Sequence, residues 1–245
     1  MKKTLTTAAL LALGTLSTNA AITYGGSFTE FASTSSSNHT INWDASSYDK
    51  LVVVATAEHG HSNTNGVISN VTYDGVALTK AVGFDPVVGN ITYNSIWYLD
   101  DPSTSAGDIV TTGANRLAFT AFGLNGTATG HAATADAAGT SVSLASSASS
   151  MVITSLGSGG NGNTQQSGAT PTGTMTNING SNFSSWGGHS TSYGAGGQGI
   201  YGYNGNADGA DVIAVEFTEL AAIPEPSSAA LLGLGGLALI MRRRK

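Results

Sequence analysis

The residues between the two chain ends predict an all-β fold, a single β-sandwich of jelly-roll type. From Ile22 to about Ile223, short β-branched and aromatic runs alternate with Gly, Asn, Ser and Asp, and no helical periodicity occurs. Leu51–Val54 is apolar at every position, which indicates a strand covered on both faces. Asp74-Gly75 between two such runs predicts a two-residue hairpin turn, because both residues accept positive φ.

The predicted strands follow one another at the short spacing expected of a sandwich. In chain order they are Ile22–Phe31, Thr40–Trp43, Lys50–Glu58, Ile68–Tyr73, Val76–Val82, Ile91–Leu99, Asp108–Thr112, Arg116–Leu124, Thr140–Leu144, Met151–Leu156, Gly199–Tyr203 and Asp211–Leu220. Alternation in the last strand places Ile213, Val215 and Phe217 on the core face.

The register of Ser95–Leu99 stays open from the sequence. Either Ile96 and Tyr98 or Trp97 and Leu99 point into the core, since a shift of one residue exchanges the two faces. Trp43 and Trp97 are predicted to be core residues.

The N-terminus predicts a secretory signal peptide, residues 1–21. Lys2 and Lys3 precede a short apolar run, Leu5–Leu16, and small residues follow at Thr18–Ala21. We expect a signal-peptide helix that is removed on export, so that the mature protein begins at Ala21 or Ile22.

The C-terminus, residues 223–245, has three parts. Ile223-Pro224-Glu225-Pro226 is followed by an apolar run, Ala229–Met241, and by the basic end Arg242–Lys245. The run has 13 residues, which as a helix span about 20 Å, whereas a bilayer core of roughly 30 Å needs about 20 apolar residues. We therefore expect a short, marginal transmembrane helix with a cytoplasmic basic end.

This tail resembles the PEP-CTERM sorting signal of Gram-negative bacteria, which an exosortase recognises and cuts. The resemblance assigns sorting and processing to Pro224, Glu225, Pro226, Arg242, Arg243 and Arg244. It implies export across the inner membrane through the Sec translocon, then a location at the cell surface or outside the cell. Proteins with this signal are associated with surface material and exopolysaccharide, so a role in the extracellular matrix or biofilm is expected.

Removing the two ends changes the charge balance of the domain, residues 22–222. Its basic residues are Lys50, Lys80 and Arg116, against 14 acidic residues between Ile22 and Ile223, which gives a net charge of −11. Such a surface does not neutralise phosphates, so nucleic acid is excluded as a partner. The chain has no Cys, so neither a disulfide nor a thiol site is available.

Several pieces of the domain resemble a bacterial exported β-sandwich domain that carries no assigned activity. The pieces are Leu51–Val54, Val71–Thr79, Ile96–Pro102, Leu117–Phe119 and Val212–Phe217. They are packing motifs, so the resemblance implies a fold but no reaction.

The stretch Ala137–Ala207 contains 71 residues without an Asp, Glu, Lys or Arg. Its abundant Gly, Ser, Thr and Asn indicate long loops or an insertion, with order or disorder of 157–185 left open. Aromatic and amide side chains in or beside it could stack on and orient a sugar: Trp186, Tyr193, Tyr201, Tyr203 and Asn204. The alternative is that these aromatic residues pin loops to the sandwich.

Two short segments could supply metal ligands. Asn204, Asn206 and Asp208 alternate as in a calcium loop, although Val215 stands where a bidentate Glu is needed. His59 and His61 lie two apart without an identifiable third ligand. No cofactor is expected, with calcium as the alternative, and Asn204–Gly209 is otherwise read as a turn ahead of the last strand.

The sequence does not predict an enzyme or a catalytic residue. It lacks a Gly-x-Ser-x-Gly elbow, and its adjacent carboxylates, Asp100-Asp101, read as a solvated turn before Pro102. The expected function is a non-enzymatic structural or interaction role at the cell surface. The alternatives are a carbohydrate-binding module and a secreted glycan hydrolase.

Overall fold

The computed structural model describes residues 21–32, 38–58, 67–84, 92–103, 105–113, 117–147, 150–158, 164–165, 175–177, 184–191, 197–204 and 210–221. Across these ranges every regular element is a β-strand, which confirms the all-β prediction. None of their segments forms a helix long and apolar enough to cross a membrane. The signal-peptide helix and the transmembrane helix predicted for the two ends lie outside the described residues.

The chain divides into two compact units. Ala21–Leu220 is one unit, and Met1–Ala20 with Ala221–Lys245 is the other. Of the second unit only Ala221 is described, so the architecture is that of Ala21–Leu220.

The strands in chain order are β1 (Thr23–Ala32), β2 (Asn38–Trp43), β3 (Lys50–Glu58), β4 (Asn70–Tyr73), β5 (Val76–Ala77), β6 (Thr79–Phe84), β7 (Thr92–Asp100), β8 (Gly107–Thr112), β9 (Leu117–Asn125), β10 (Ala133–Ala138), β11 (Ser141–Ser146), β12 (Met151–Ser158), β13 (Thr164–Gln165), β14 (Met175–Asn177), β15 (Ser184–Thr191), β16 (Gly197–Asn204) and β17 (Asp211–Phe217). Their pairing is antiparallel. Within the described ranges they form sheet I (β1-β9-β3-β7-β6), sheet II (β10-β17-β12-β15-β14), sheet III (β2-β8-β4-β5) and sheet IV (β11-β16-β13).

Three apolar cores hold these sheets together. The first core joins residues of sheets I and III, such as Val53 and Ile109. The second core joins residues of sheets I and II, such as Val54 and Ile213, and the third joins sheets II and IV. Sheets I and II are therefore each buried on both faces, in the order III, I, II, IV.

Strand β3 shows why its sequence is apolar at successive positions. Leu51, Val53 and Ala55 lie in the first core, and Val52 and Val54 lie in the second. All five side chains are at most 1% exposed. The prediction of a strand covered on both faces is confirmed.

Both faces of Ser95–Leu99 are covered by a core, so each of the two registers left open by the sequence identifies side chains that pack in the interior. Trp97 packs in the first core and Leu99 against it, whereas Ile96 lies in the second core and Tyr98 packs there. Trp97 is a core residue as predicted, and the half-buried Trp43 packs on the first core.

The last strand, β17, has one face predicted correctly and one that was not foreseen. Ile213, Val215 and Phe217 lie in the second core, as the alternation predicted. Val212 and Ala214 are also buried because sheet IV covers the other face of sheet II.

The Asp74-Gly75 hairpin forms as predicted. Tyr73 pairs with Val76 across a two-residue turn, and Asp74 (φ 49°) and Gly75 (φ 77°) both adopt positive φ. The strand predicted over Val76–Val82 is divided into β5 and β6. Between them Leu78 is buried in the first core, where the chain passes from sheet III to sheet I.

The stretch Ala137–Ala207, where long loops or an insertion were predicted, contains strands β11 to β16 among its described residues. Three of them, β11, β12 and β16, correspond to the predicted strands Thr140–Leu144, Met151–Leu156 and Gly199–Tyr203. The strands β13, β14 and β15 lie where loops or an insertion were expected, and β10 was not predicted. Strand β15 contains Ser, Gly and His at most positions, and these residues have a low intrinsic preference for β-strands. It forms a strand because it pairs along its length with β12.

Candidate functional site

Two groups of residues, each built around buried polar side chains, lie at the boundary of the second core near the two ends of β3. We call them the Asp211 cluster (Thr56, Thr92, Asn94, Ser155 and Asp211) and the Lys50 site (Lys50, Tyr98, Asp100, Gly130 and Phe217). Both lie where sheet I faces sheet II.

The Asp211 cluster joins the two sheets by hydrogen bonds. Thr92 Oγ1 donates to Asp211 Oδ1 at 2.6 Å, a bond between β7 and β17. Asn94 Oδ1 accepts from Thr56 Oγ1 at 3.0 Å and from Ser155 Oγ at 2.5 Å. All five residues are 0% exposed.

Two atoms of this cluster are buried without a hydrogen-bond partner among the described residues, Asp211 Oδ2 and Asn94 Nδ2. The cluster is closely packed beside Gly157. A Cβ there would lie 2.8 Å from Thr92 Oγ1 and 2.9 Å from Asp211 Oδ1. Only the absence of a side chain at position 157 leaves room for the carboxyl group.

Burial raises the pKa of Asp211 to about 7. The hydrogen bond from Thr92 and the nearby amide of Asn94 both lower the pKa of Asp211. Asn94 acts through its closeness to the carboxyl group, since its Nδ2 makes no hydrogen bond to a described residue. Desolvation outweighs both because the charged carboxylate has lost its water on every side. The group can hold or release a proton near neutral pH.

The Lys50 site contains an ion pair between neighbouring strands, in which the lysine side chain is buried and the Asp100 side chain is 24% exposed. Lys50, which is 0% exposed, pairs in register with Asp100, and its Nζ donates to Asp100 Oδ1. Nζ also donates to the Gly130 carbonyl oxygen at 2.9 Å. The Gly130 N–H in turn donates to Asp100 Oδ2 at 2.9 Å.

Two aromatic rings complete the surroundings of the amine. Nζ lies 5.0 Å from the Tyr98 ring centroid and 5.2 Å from that of Phe217, within the range of cation–π attraction. Burial lowers the pKa of Lys50, while the hydrogen bond and charge of Asp100 and the charge of Asp101 oppose this change. The environment therefore favours the neutral amine more than water does.

The structure separates the two adjacent carboxylates. Asp101 is exposed at a turn with φ 48°, in agreement with the predicted solvated turn. The prediction is wrong for Asp100, whose carboxylate accepts hydrogen bonds from Lys50 Nζ and from the Gly130 N–H.

The residues predicted to bind glycan lie on two different sheets or outside the described residues. Trp186, on β15, pairs in register with Leu156, and Tyr201, on β16, pairs with Val142. Leu156 and Val142 are both third-core residues. Tyr203 and Asn204 end β16, paired with Gln165 and Thr164, and Tyr193 is not among the described residues.

The predicted calcium ligands are only partly described. Asn204 is the last residue of β16, while Asn206 and Asp208 lie outside the described residues, as do His59 and His61. In the described part of the chain no group of three or more His, Asp or Glu could hold a metal ion. The sorting residues Pro224, Glu225, Pro226, Arg242, Arg243 and Arg244 also lie outside it.

Sequence reasoning did not identify Lys50, Gly130 or Asp211 as site residues. A signal was available for Lys50, a rare basic residue at the head of an apolar strand. Asp211 likewise begins an apolar strand. Their partners Asp100 and Thr92 lie 50 and 119 residues away in the chain, so no local pattern could pair them.

The described residues and the C-terminal sequence define a β-rich domain followed by a sorting tail. Residues 222–245 match the PEP-CTERM protein-sorting motif, which confirms the predicted signal. The motif implies an exosortase substrate that is exported and sorted to the cell surface. Comparison with curated proteins and with solved structures gives no match for the chain.

Proposed function

We propose that this chain is a surface or extracellular-matrix protein with a non-enzymatic structural or interaction role, associated with exopolysaccharide. The observation that carries the proposal is the sorting motif at residues 222–245. In this proposal the signal peptide, residues 1–21, directs the chain to the Sec translocon. The short transmembrane helix then presents Pro224-Glu225-Pro226 to the exosortase, and the domain is a sandwich of jelly-roll type.

The domain supports a role in a polysaccharide-rich layer. Its net charge of −11 comes from 3 basic and 14 acidic residues, so most of its side chains are uncharged. Strand β11 exposes Ser141, Ser143 and Ala145 while it buries Val142 and Leu144. The serine hydroxyls on this strand can form hydrogen bonds with sugar hydroxyls, and its neutral side chains do not attract phosphates or nucleic acid.

Retention in the matrix of the native producer tests this proposal. We expect the processed protein to be recovered with the extracellular polysaccharide, and to pass into the medium when polysaccharide synthesis is abolished. The replacement of Pro224, Glu225 and Pro226 by Ala should leave the chain unprocessed in the membrane fraction. Ser227→Ala, which alters the same tail outside the Pro-Glu-Pro element, is the matched control.

The outcomes separate processing from association with polysaccharide. A protein that is cut normally but fractionates identically with and without polysaccharide contradicts the matrix role and leaves the sorting assignment intact. Catalytic turnover of a polysaccharide by the purified protein would favour the hydrolase alternative instead.

A carbohydrate-binding module is the second candidate function, because Trp186 and Tyr201 lie on neighbouring layers of the domain. If it is correct, a glycan array probed with the full-length chain gives a defined set of bound sugars, and Trp186→Ala abolishes their binding. Trp43→Phe, at a half-buried tryptophan packed on the first core, is the matched control. Repeating the array with a chelator tests calcium ligation by Asn204, Asn206 and Asp208. A blank array would favour the alternative, that these aromatic residues pin loops to the sandwich.

A further inference from the structure

The Lys50 site has a geometry that an ion pair alone does not require. Its amine is fully buried at the edge of the apolar second core, and the carboxyl group of Asp100 is held at both oxygens. We propose that Lys50 Nζ and Asp100 Cγ become joined by an intramolecular isopeptide bond that cross-links β3 to β7.

The two carboxylate oxygens of Asp100 have different hydrogen-bond partners, and we assign them different roles in the reaction. Oδ1 contacts Lys50 Nζ, so it is the oxygen that can receive a proton directly from the amine. Oδ2 accepts a hydrogen bond from the Gly130 N–H at 2.9 Å. A backbone N–H in this position stabilises negative charge on oxygen when a nucleophile adds to the carboxyl carbon.

The reaction balances without any added reagent. A proton passes from Nζ to Oδ1, which converts the ion pair into a neutral amine and a carboxylic acid. The Nζ lone pair then attacks Cγ, the N–C bond forms, and charge develops on Oδ2 beside the Gly130 N–H. A second proton moves from Nζ to Oδ1, the Cγ–Oδ1 bond breaks, and water leaves.

The surroundings favour the neutral reactants and the neutral product. Withdrawing the lysine charge from water is costly even when that charge is paired. The Tyr98 and Phe217 rings, 5.0 and 5.2 Å from Nζ, attract the ammonium form, but their faces offer it no hydrogen-bond acceptor in place of water. Burial also lowers the pKa of Lys50, which increases the fraction of amine able to act as a nucleophile.

Gly130 fits the product as well as the reactants. The amide N–H that remains on Nζ can still donate to the Gly130 carbonyl, and the amide oxygen, the former Oδ2, can still accept from the Gly130 N–H. Both polar groups of the new bond are therefore satisfied in the buried site. Gly130 has φ +79°, which favours glycine at this position. A covalent link between strands would also serve an exported chain that contains no Cys.

Peptide mapping of the folded full-length chain tests the proposal directly. Trypsin cleaves after Lys50, Lys80 and Arg116 in this part of the chain, but not after a lysine whose Nζ is an amide. We expect the free peptide Leu51–Lys80 to be missing. In its place a branched species should join Ala81–Arg116 to the uncut segment that ends at Lys80, lighter by one water than the sum of its parts.

Variants separate the covalent bond from the ion pair. Lys50→Arg retains a positive charge but cannot form this amide under the same chemistry, and Asp100→Ala removes the carbon under attack, so both should lose the branched species. Asp101→Ala, at the exposed neighbour, should retain it. Recovery of free Leu51–Lys80 and unmodified Ala81–Arg116 in full yield from the folded wild type overturns the proposal, whatever the stability of the variants.

Discussion

Raising the pH from about 4 to about 7 should destabilise this protein through one buried carboxyl group. The pKa of Asp211 is about 7 in the folded chain, against 3.8 for an aspartate side chain in water, so the folded state binds a proton that the unfolded state has released. The favourable contribution is complete below pH 3.8 and is lost as the pH rises through 7. At ~1.4 kcal/mol per pKa unit, the loss is on the order of 4 kcal/mol.

The comparison of the wild type with Asp211→Asn isolates this effect from other titrating groups. The amide stays neutral at every pH, so the fall in the free energy of unfolding between pH 4 and 7 should be much smaller in the variant. Asp136→Asn is the matched control, because Asp136 is exposed on β10, opposite Ile213. Urea denaturation at each pH gives the free energies. Parallel pH profiles for the wild type and Asp211→Asn would contradict a protonated, buried Asp211.

The strands could be predicted where their own residues specify burial. Lys50–Glu58 is predicted with the bounds that the structure gives, since a run such as Leu51–Val54 is stable only when both faces are covered. The Asp74-Gly75 turn is equally local, because the required φ values depend on those two residues.

The stacking of sheets could not be predicted from the same patterns. Val212 and Ala214 are small apolar residues that alternate with a core face and precede Glu216, so that face read as the outer one. They are buried because β11 of sheet IV supplies Val142 and Leu144 against them. Alternation along a strand shows which residues share a face, but it does not show whether another sheet covers it.

The candidate site illustrates the same limit for polar residues. Asp100 read as part of a solvated turn because its sequence neighbours are Asp101 and Pro102. Its partner Gly130 comes from another part of the chain. Residues whose chemistry depends on contacts across sheets have no signature in a single strand.

Phe119 and Phe122 test the layered architecture because they lie three residues apart on one strand and in different cores. Phe119, 2% exposed, packs in the first core, and Phe122, 0% exposed, in the second. Each substitution by Ala should lower the free energy of unfolding by about 3–5 kcal/mol, a large share of the roughly 5–15 kcal/mol of an ordinary domain. Val76→Ala, at a residue 53% exposed beside the hairpin, is the control and should change stability by roughly 0.5 kcal/mol or less. Urea denaturation of the three variants gives the comparison. If sheet I had one solvent-facing side, one of the two phenylalanines would be replaceable at little cost, so two equally large losses are expected only when both faces of β9 are core.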